Sequence, residues 1–392
     1  MRRLVRAGWG VWLIFLAVVA VLTLRHPDAH SVLPAYRAGA EAWWAGRDIY
    51  GPGIHGFLYL PAFALLFSPF AWLGSPAGDL AWRLVGFALL TSAYARLARL
   101  AAPDQASPVL AAMLLAALPA SGAALQNGQA TVPMLALMIH AVVDLADRPG
   151  GGWRPGLLLA LAVAVKPLAL VLALLAAALR PAVRLPLALG LAAILLLPFL
   201  AADPAWVAGQ YASAWTKLTA AADPGLGRWA DLGMLLARLG WQPPEAAMML
   251  LRIAGAVAAL ALAAIAARRL PPADAALAWL ALACLYLLLL NPRAEENTYI
   301  LLAPLAALLA GRAWFRDGRR RPALLLLALC LALGNHAYGD LVYRPTELWL
   351  KPLLALAFAV YLIGWIRRGG SAAGAGVASS GAAPAGIASS NP

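Results

Sequence analysis

The chain has 392 residues, of which 63% are hydrophobic and only 12% charged, with a formal net charge of +13. A soluble domain carries about 25% charged residues, so a soluble enzyme is excluded. With it goes the nucleic-acid partner that so basic a soluble chain would suggest.

Apolar runs recur at 8–24, 57–74, 80–100, 107–125, 130–147, 155–180, 185–202, 246–267, 274–290, 298–315, 322–338 and 347–366. A helix needs about 20 mostly apolar residues to cross a bilayer. Leu and Ala dominate the runs and period-two alternation is absent, which predicts helices. The predicted fold is all-α, a polytopic transmembrane bundle of about twelve spans, between about 10 and 13.

In chain order, Arg2, Arg3 and Arg6 come first. The run 8–24 lacks a small-residue cleavage site and reads as an uncleaved first span. Residues 25–56 form a first outer loop. Within it, 35–46 is helix-forming and carries Tyr36, Trp43 and Trp44, which suits a short helix at the membrane interface. QNGQ, at 126–129, separates two apolar runs, and Lys166-Pro167 interrupts the run 155–180. That run is either one Pro-kinked span, with QNGQ inside, or a broken hairpin with Lys166 at its tip and QNGQ outside. The second outer loop, 203–245, sets Trp206, Tyr211, Trp215, Trp229 and Trp241 among Asp, Pro and Gly. It reads as an interfacial lid. The Ala/Gly/Ser-rich tail, 369–392, has too few large apolar groups to offset its ordering entropy and is predicted disordered. Residues 1–368 make one membrane domain.

Arginine marks the loops that stay in the cytoplasm. Arg180, Arg184, Arg268, Arg269, Arg367, Arg368 and the turn RAWFRDGRRRP at 312–322 do so here, which places both termini inside. Arg96, Arg99, Arg148 and Arg154 fit neither reading of 155–180. The acids sort the other way. Eleven of the seventeen, Asp28, Glu41, Asp223, Glu295 and Glu296 among them, fall on the predicted outer side. Acids do little to set topology, so their one-sidedness asks for another cause.

NPRAEENTY, residues 291–299, is the most polar turn between apolar runs. It is either a plain surface loop or the lining of a polar cleft. In a cleft, Arg293 would hold phosphate oxygens through paired donors, and Glu295 or Glu296 would accept a hydroxyl proton. Asp28, just past the first span, is a second candidate base. His26 and His30 flank it, but Pro27 breaks the helix that would align them, so no metal site is expected. Lys166 is an ionisable group deep in an apolar segment, which is costly and by default functional. Its plain alternative is snorkelling or a pair with Asp144. Gln126, Asn127 and Gln129 suit sugar hydroxyls, or only cap helices. Cys284 and Cys330 have neither metal-type spacing nor a disulfide role. There is no GxxxxGKS loop or GxGxxG turn and no room for a nucleotide domain. No cofactor is expected, and an activated group would arrive dissolved in the membrane.

The segments LPAYRAGAEAWWAGRDIY, FLYLPAFALLFSPFAWL, QNGQATVPMLALM, AVKPLAL and NPRAEENTYILLAP occur in this order. Together they resemble glycosyltransferase family 87, a polytopic family of the GT-C class, over most of 30–310. The resemblance implies a polyprenyl-phosphate sugar donor, often mannose, and a lipid or glycan acceptor reached from the periplasmic side of the inner membrane. It implies inversion at the anomeric carbon. A first-loop carboxylate would take the acceptor proton, and cationic groups would steady the leaving phosphate. Arg293 and Lys166 then bind donor phosphate. Gln126, Asn127, Gln129, Tyr36, Tyr59 and Asn297, all within the matching segments, join the substrate-binding set. Two positions depart from the family pattern. Ser31 stands where relatives commonly carry Asp, and Asn297 where the later loop often carries His. Asp28 takes the role, Glu295 or Glu296 substitutes, or this branch has lost activity. A transporter or lipid flippase, with ionisable residues on broken helices, and a non-catalytic assembly partner are the rival readings.

Overall fold

The computed structural model describes residues 1–53, 55–148, 150–222 and 229–370, and every regular element among them is helical. Asp223 and the predicted disordered tail from residue 371 on lie outside the described residues.

The chain shuttles between two ends of a bundle. α1 (Arg2–Arg25) rises from the lower end to the upper. Residues 26–60 spread over the upper end and contain α2 (Leu33–Trp44), and α3 (Pro61–Trp72) packs beside it. α4 (Ala77–Ala101) descends; α5 (Ala106–Ala116) and α6 (Leu118–Gln126) climb back. α7 (Thr131–Asp147) descends, α8 (Trp153–Val165) rises, α9 (Leu170–Leu179) descends and α10 (Pro181–Ala201) rises. α11 (Pro204–Ala221) and α12 (Leu232–Arg238) lie across the top. α13 (Glu245–Arg269) descends, α14 (Pro272–Leu289) rises, α15 (Ala303–Phe315) descends and α16 (Arg320–Ala332) rises. α17 (Asp340–Thr346) stays on top, and α18 (Leu350–Arg367) descends.

Seven of these helices are long and apolar enough to cross a membrane, or eight if the bent α5–α6 pair is one span. The chain is a multi-pass membrane protein. α14 and the segment through α15 are almost wholly buried and form the centre. α13 is the opposite case. Met249, Leu250, Ile253 and Val257 on it are 60%, 68%, 55% and 63% exposed, an apolar face that belongs in lipid.

The number of long spans is below the predicted twelve. The runs 130–147 and 322–338 give helices of 17 and 13 residues, α7 and α16, and three other runs are shortened, bent or broken. The run 57–74 yields only the 12 residues of α3, and both its ends stay at the upper end, with Tyr59 before it lining the upper opening and Asp79 after it paired to Arg37 of α2. The run 107–125 bends by 64° between α5 and α6, where Pro119 opens the second helix and cannot donate to the first. The run 155–180 breaks at Lys166, whose backbone is extended at φ −156°, ψ 121°, the conformation that a following proline imposes.

That break settles the choice left open at 155–180. A Cβ on Gly152 would lie 1.8 Å from the Ala182 carbonyl, one on Gly156 3.0 Å from Leu187 N, and one on Gly190 2.6 Å from Ala160 Cβ. α8 and α10 therefore run parallel in close contact, and α9 returns alongside the pair. Lys166-Pro167 is the tip of a hairpin, not a kink in one span. The same geometry explains the four arginines that fit neither reading. Because α3 does not traverse the bundle and 155–180 traverses it twice, Arg96, Arg99, Arg148 and Arg154 reach the lower end with the other arginines.

The lower end is tied by buried charge. Asp144, on α7, takes ion pairs from Arg96 and, at 3.0 Å, from Arg154. Asp274 and Arg312, each 4% exposed, join α14 to α15 in a two-point pair. Removing one partner leaves a buried charge uncompensated, which costs about 3–5 kcal/mol. Asp274→Ala is thus expected to destabilise the chain by that amount in denaturant unfolding in detergent, whereas Arg344→Ala, which breaks the exposed pair with Asp340, is expected to cost about 0–1 kcal/mol.

Candidate active site

A cavity of about 600 Å³ opens at the upper end, walled by the 31–36 segment, the loop around His55 to Tyr59, Gln129, the hairpin tip at Lys166, the end of α11 and the 291–298 turn. The sequence supplies each wall by a distinct local device.

Tyr36 comes from α2. Its ring sits edge-on to Tyr59, Phe63, Phe67 and Trp82 at 5.0, 5.1, 5.4 and 6.2 Å between centroids, a packing that aromatic quadrupoles favour. Its hydroxyl lies 2.7 Å from that of Tyr59 and accepts from the Ala130 amide at 3.1 Å. Burial pushes the Tyr36 phenol up to about 12 and that of Tyr59 well above its ordinary value. Both stay neutral, so they act as hydrogen-bonding walls rather than as bases. Removing the Tyr36 hydroxyl leaves the Ala130 amide unsatisfied, at about 1–3 kcal/mol. Tyr36→Phe is therefore expected to lower the unfolding free energy by that much.

The QNGQ turn is held by its backbone. Gln126 O accepts from Arg83 Nε at 2.8 Å, Asn127 O from the Val32 amide at 3.0 Å, and Gly128 O from Trp82 Nε1 at 2.8 Å. Gly128 has φ +68°, and a Cβ there would press on Leu33 at 3.0 Å, so only glycine fits. With its amide nitrogen turned to the carbonyls, Asn127 donates to His30 O at 2.7 Å and Ala123 O at 3.2 Å. Gln129 lines the cavity; Gln126 and Asn127 do not. Gln126 ties the turn to α4 and Asn127 ties it to the first loop.

Lys166 ends α8, in the turn outside both helices of the hairpin, and donates to Thr131 Oγ1 at 2.7 Å. Burial pulls its pKa down, with Glu295 pulling it up and Arg293 down. Arg293 stacks over Trp229 at 4.6 Å and donates to Ala221 O at 3.3 Å. Burial lowers its pKa as well, against the Glu295 charge, though a guanidinium stays protonated. Glu295 is exposed, lines the cavity, and its carbonyl starts the 3-10 turn of Glu296–Leu301. Two cations and one carboxylate thus meet at one cavity.

The other predicted site residues fall elsewhere. Glu296 points to α18, where Lys351 Nζ lies 3.0 Å away. Asn297 sits in the same 3-10 turn and is not part of the lining. Asp28, its side chain 68% exposed, is bound by Arg37 at 3.0 Å and does not line the cavity. Arg37 also holds Asp79, which is 1% exposed and accepts from Ser75 Oγ at 2.8 Å. Ser31 does line the cavity, and Arg83 Nη2 donates to its hydroxyl at 3.1 Å. Three further polar residues stand in or behind this site without being among the predicted ones: His55, Arg83 and Asp79. His55 had no spacing signal. Arg83, a cation inside an apolar run, carried the same signal as Lys166. Among the described residues no three His, Cys, Asp or Glu side chains converge as a metal site would need.

No solved structure matches the chain. Over 97 residues it is 36% identical to the polyprenol-phosphate-mannose-dependent α-(1-2)-phosphatidylinositol mannoside mannosyltransferase of Mycobacterium tuberculosis. That alignment covers 22% of this chain and 23% of the relative, so the chain spans less than a quarter of the relative's length in the match. The model of glycosyltransferase family 87 matches residues 57–292, a stretch that holds Tyr59, Gln129 and Lys166 and stops one residue before Arg293. With more than half of its length matched in this way, the chain belongs to glycosyltransferase family 87.

Proposed function

We propose that the chain is a membrane glycosyltransferase that moves a hexose, mannose in the first instance, from a polyprenyl-phosphate donor to a hydroxyl of a lipid or glycan acceptor. The observation that carries this is the meeting of Lys166, Arg293 and Glu295 at one cavity. The acceptor oxygen forms a bond to the anomeric carbon from the face opposite the phosphate. The bond from that carbon to the phosphate oxygen breaks, which inverts the centre. Polyprenyl phosphate leaves with the electron pair, and Lys166 and Arg293 hold its growing charge, as preorganised donors do at a developing anion. The acceptor proton passes to Glu295. Of the three carboxylates expected as base, Glu295 lines the cavity, whereas Glu296 is spent on Lys351 and Asp28 on Arg37. Tyr36, Tyr59, Gln129 and Ser31 offer hydrogen bonds to sugar hydroxyls. Gln126, Asn127 and Asn297 shape the turns around them.

The path of the chain supports counting α5–α6, α7, α8, α9 and α16 as crossings beside the seven long helices, which makes about twelve. The lower-end arginines then face the cytoplasm, with both termini. The cavity opens to the periplasmic side of the inner membrane, where a lipid-borne donor is within reach. The one-sided acids are thereby part of the face that handles substrate.

The test is transfer itself. Purified protein in lipid, given radiolabelled polyprenyl-phosphate mannose and a lipid acceptor fraction, is expected to place label covalently on acceptor. Label that crosses sealed vesicles without any covalent product would instead support the flippase reading, which the broken hairpin at Lys166 also suits.

A further inference from the structure

The opposite end of the molecule carries a second opening. It is an apolar groove of about 360 Å³ between α1, α5, α15 and α16. Its walls are almost without polar surface: Leu4, Ala112, Gly311, Trp314 and Leu324 are typical of them. What borders it is not apolar at all. Arg3 precedes Leu4, and Arg6 follows within two residues. Arg316, Arg319, Arg320 and Arg321 fill the turn from Phe315 to Ala323, both of which line the groove. Arg2, Arg3, Arg6, Arg319, Arg320 and Arg321 are all exposed. Arg320 rests over Trp314 at 5.8 Å, which brings a cation to the rim of the groove. Asp317 is the sole acid of that turn.

Burying no charge, these arginines do little for the fold, since exposed charges contribute at most fractions of a kcal/mol each. The inner ends of many helices carry arginine for topology alone. Here, however, two arginine clusters more than 300 residues apart in the sequence border one groove wide enough for an apolar chain. We infer that the groove is a binding site for an anionic glycerophospholipid, with one acyl chain between α5 and α16 and the phosphate among Arg319–Arg321 and Arg3. Basic pockets between membrane helices on the arginine-rich side recognise anionic headgroups in this way, each cation adding attraction. The site is separate from the upper cavity and needs no sugar donor.

Native mass spectrometry of the full-length protein in detergent, with equimolar phosphatidylglycerol and phosphatidylcholine of identical chains, tests it. One phosphatidylglycerol is expected to be retained with about tenfold preference. The exposed triple variant Arg319→Gln/Arg320→Gln/Arg321→Gln is expected to bring the preference near unity without change in helicity. Ala112→Phe, which fills the groove, is expected to abolish retention of both lipids. Equal retention of the two lipids by the wild type, preference that survives the arginine variants, or a second copy of the chain in place of lipid overturns the proposal.

Discussion

Glu295→Gln is expected to lower kcat by about 10²–10⁴-fold, the usual contribution of a positioned general base, while the KM for donor changes little. Glutamine keeps the size and one acceptor oxygen of the side chain but takes no proton. The carboxylate is exposed at the cavity, so the substitution is not expected to unfold the protein, and the loss reads as chemistry. Glu296→Gln is a different experiment. It weakens the contact with Lys351 on α18 and is expected to act on stability more than on kcat. Asp28→Asn, which loosens Arg37, is expected to leave most of the transfer rate intact because Arg37 keeps Asp79. A collapse of transfer in Asp28→Asn with full activity in Glu295→Gln would reverse the assignment of the base.

Lys166→Met is expected to reduce kcat/KM by about 10²–10³-fold, the size of effect seen when one donor to a developing anion is removed. Methionine preserves the length and apolar stem of the side chain, so the hairpin tip should hold. The charged form is the one that binds phosphate. Burial lowers the pKa of Lys166, against the pull of Glu295, so the ammonium is lost as pH rises through that lowered value. Donor binding should then show an alkaline limb below the ordinary range of lysine. Lys166→Arg keeps a cation that does not deprotonate. It should remove the limb while losing some rate to altered geometry. An alkaline limb unchanged in Lys166→Arg would mean that another group causes it.

The helical, lipid-embedded character was legible in composition alone, because a chain this apolar has few other ways to satisfy its backbone. The cavity was partly legible. Lys166, Arg293 and Glu295 stand out as charges amid apolar sequence, and they meet across more than a hundred residues of chain. Three features were not legible, each for a physical reason. α3 looked like a span because its aromatic and apolar residues serve a buried cluster with Tyr36 rather than lipid, and hydropathy does not distinguish the two. Whether Lys166-Pro167 kinks a helix or turns it back depends on the close seating of Gly152, Gly156 and Gly190 between α8 and α10, a tertiary fact. Gln126 and Asn127 suit sugar hydroxyls or helix caps equally well in sequence, and hydropathy does not show that their backbone carbonyls, which demand partners, take them from α4 and the first loop.

The central claim is that the upper cavity holds the phosphate of a lipid-linked sugar donor. A polyprenyl-phosphate analogue with a photoreactive group beside its phosphate, crosslinked to the protein in lipid and mapped by peptide mass spectrometry, addresses it most directly. Labelling confined to the turns that carry Lys166 and Arg293, and competed away by unmodified donor, is the predicted result. Labelling spread along the lipid-facing helices, or concentrated at the arginine-rich lower end and indifferent to donor, would contradict it.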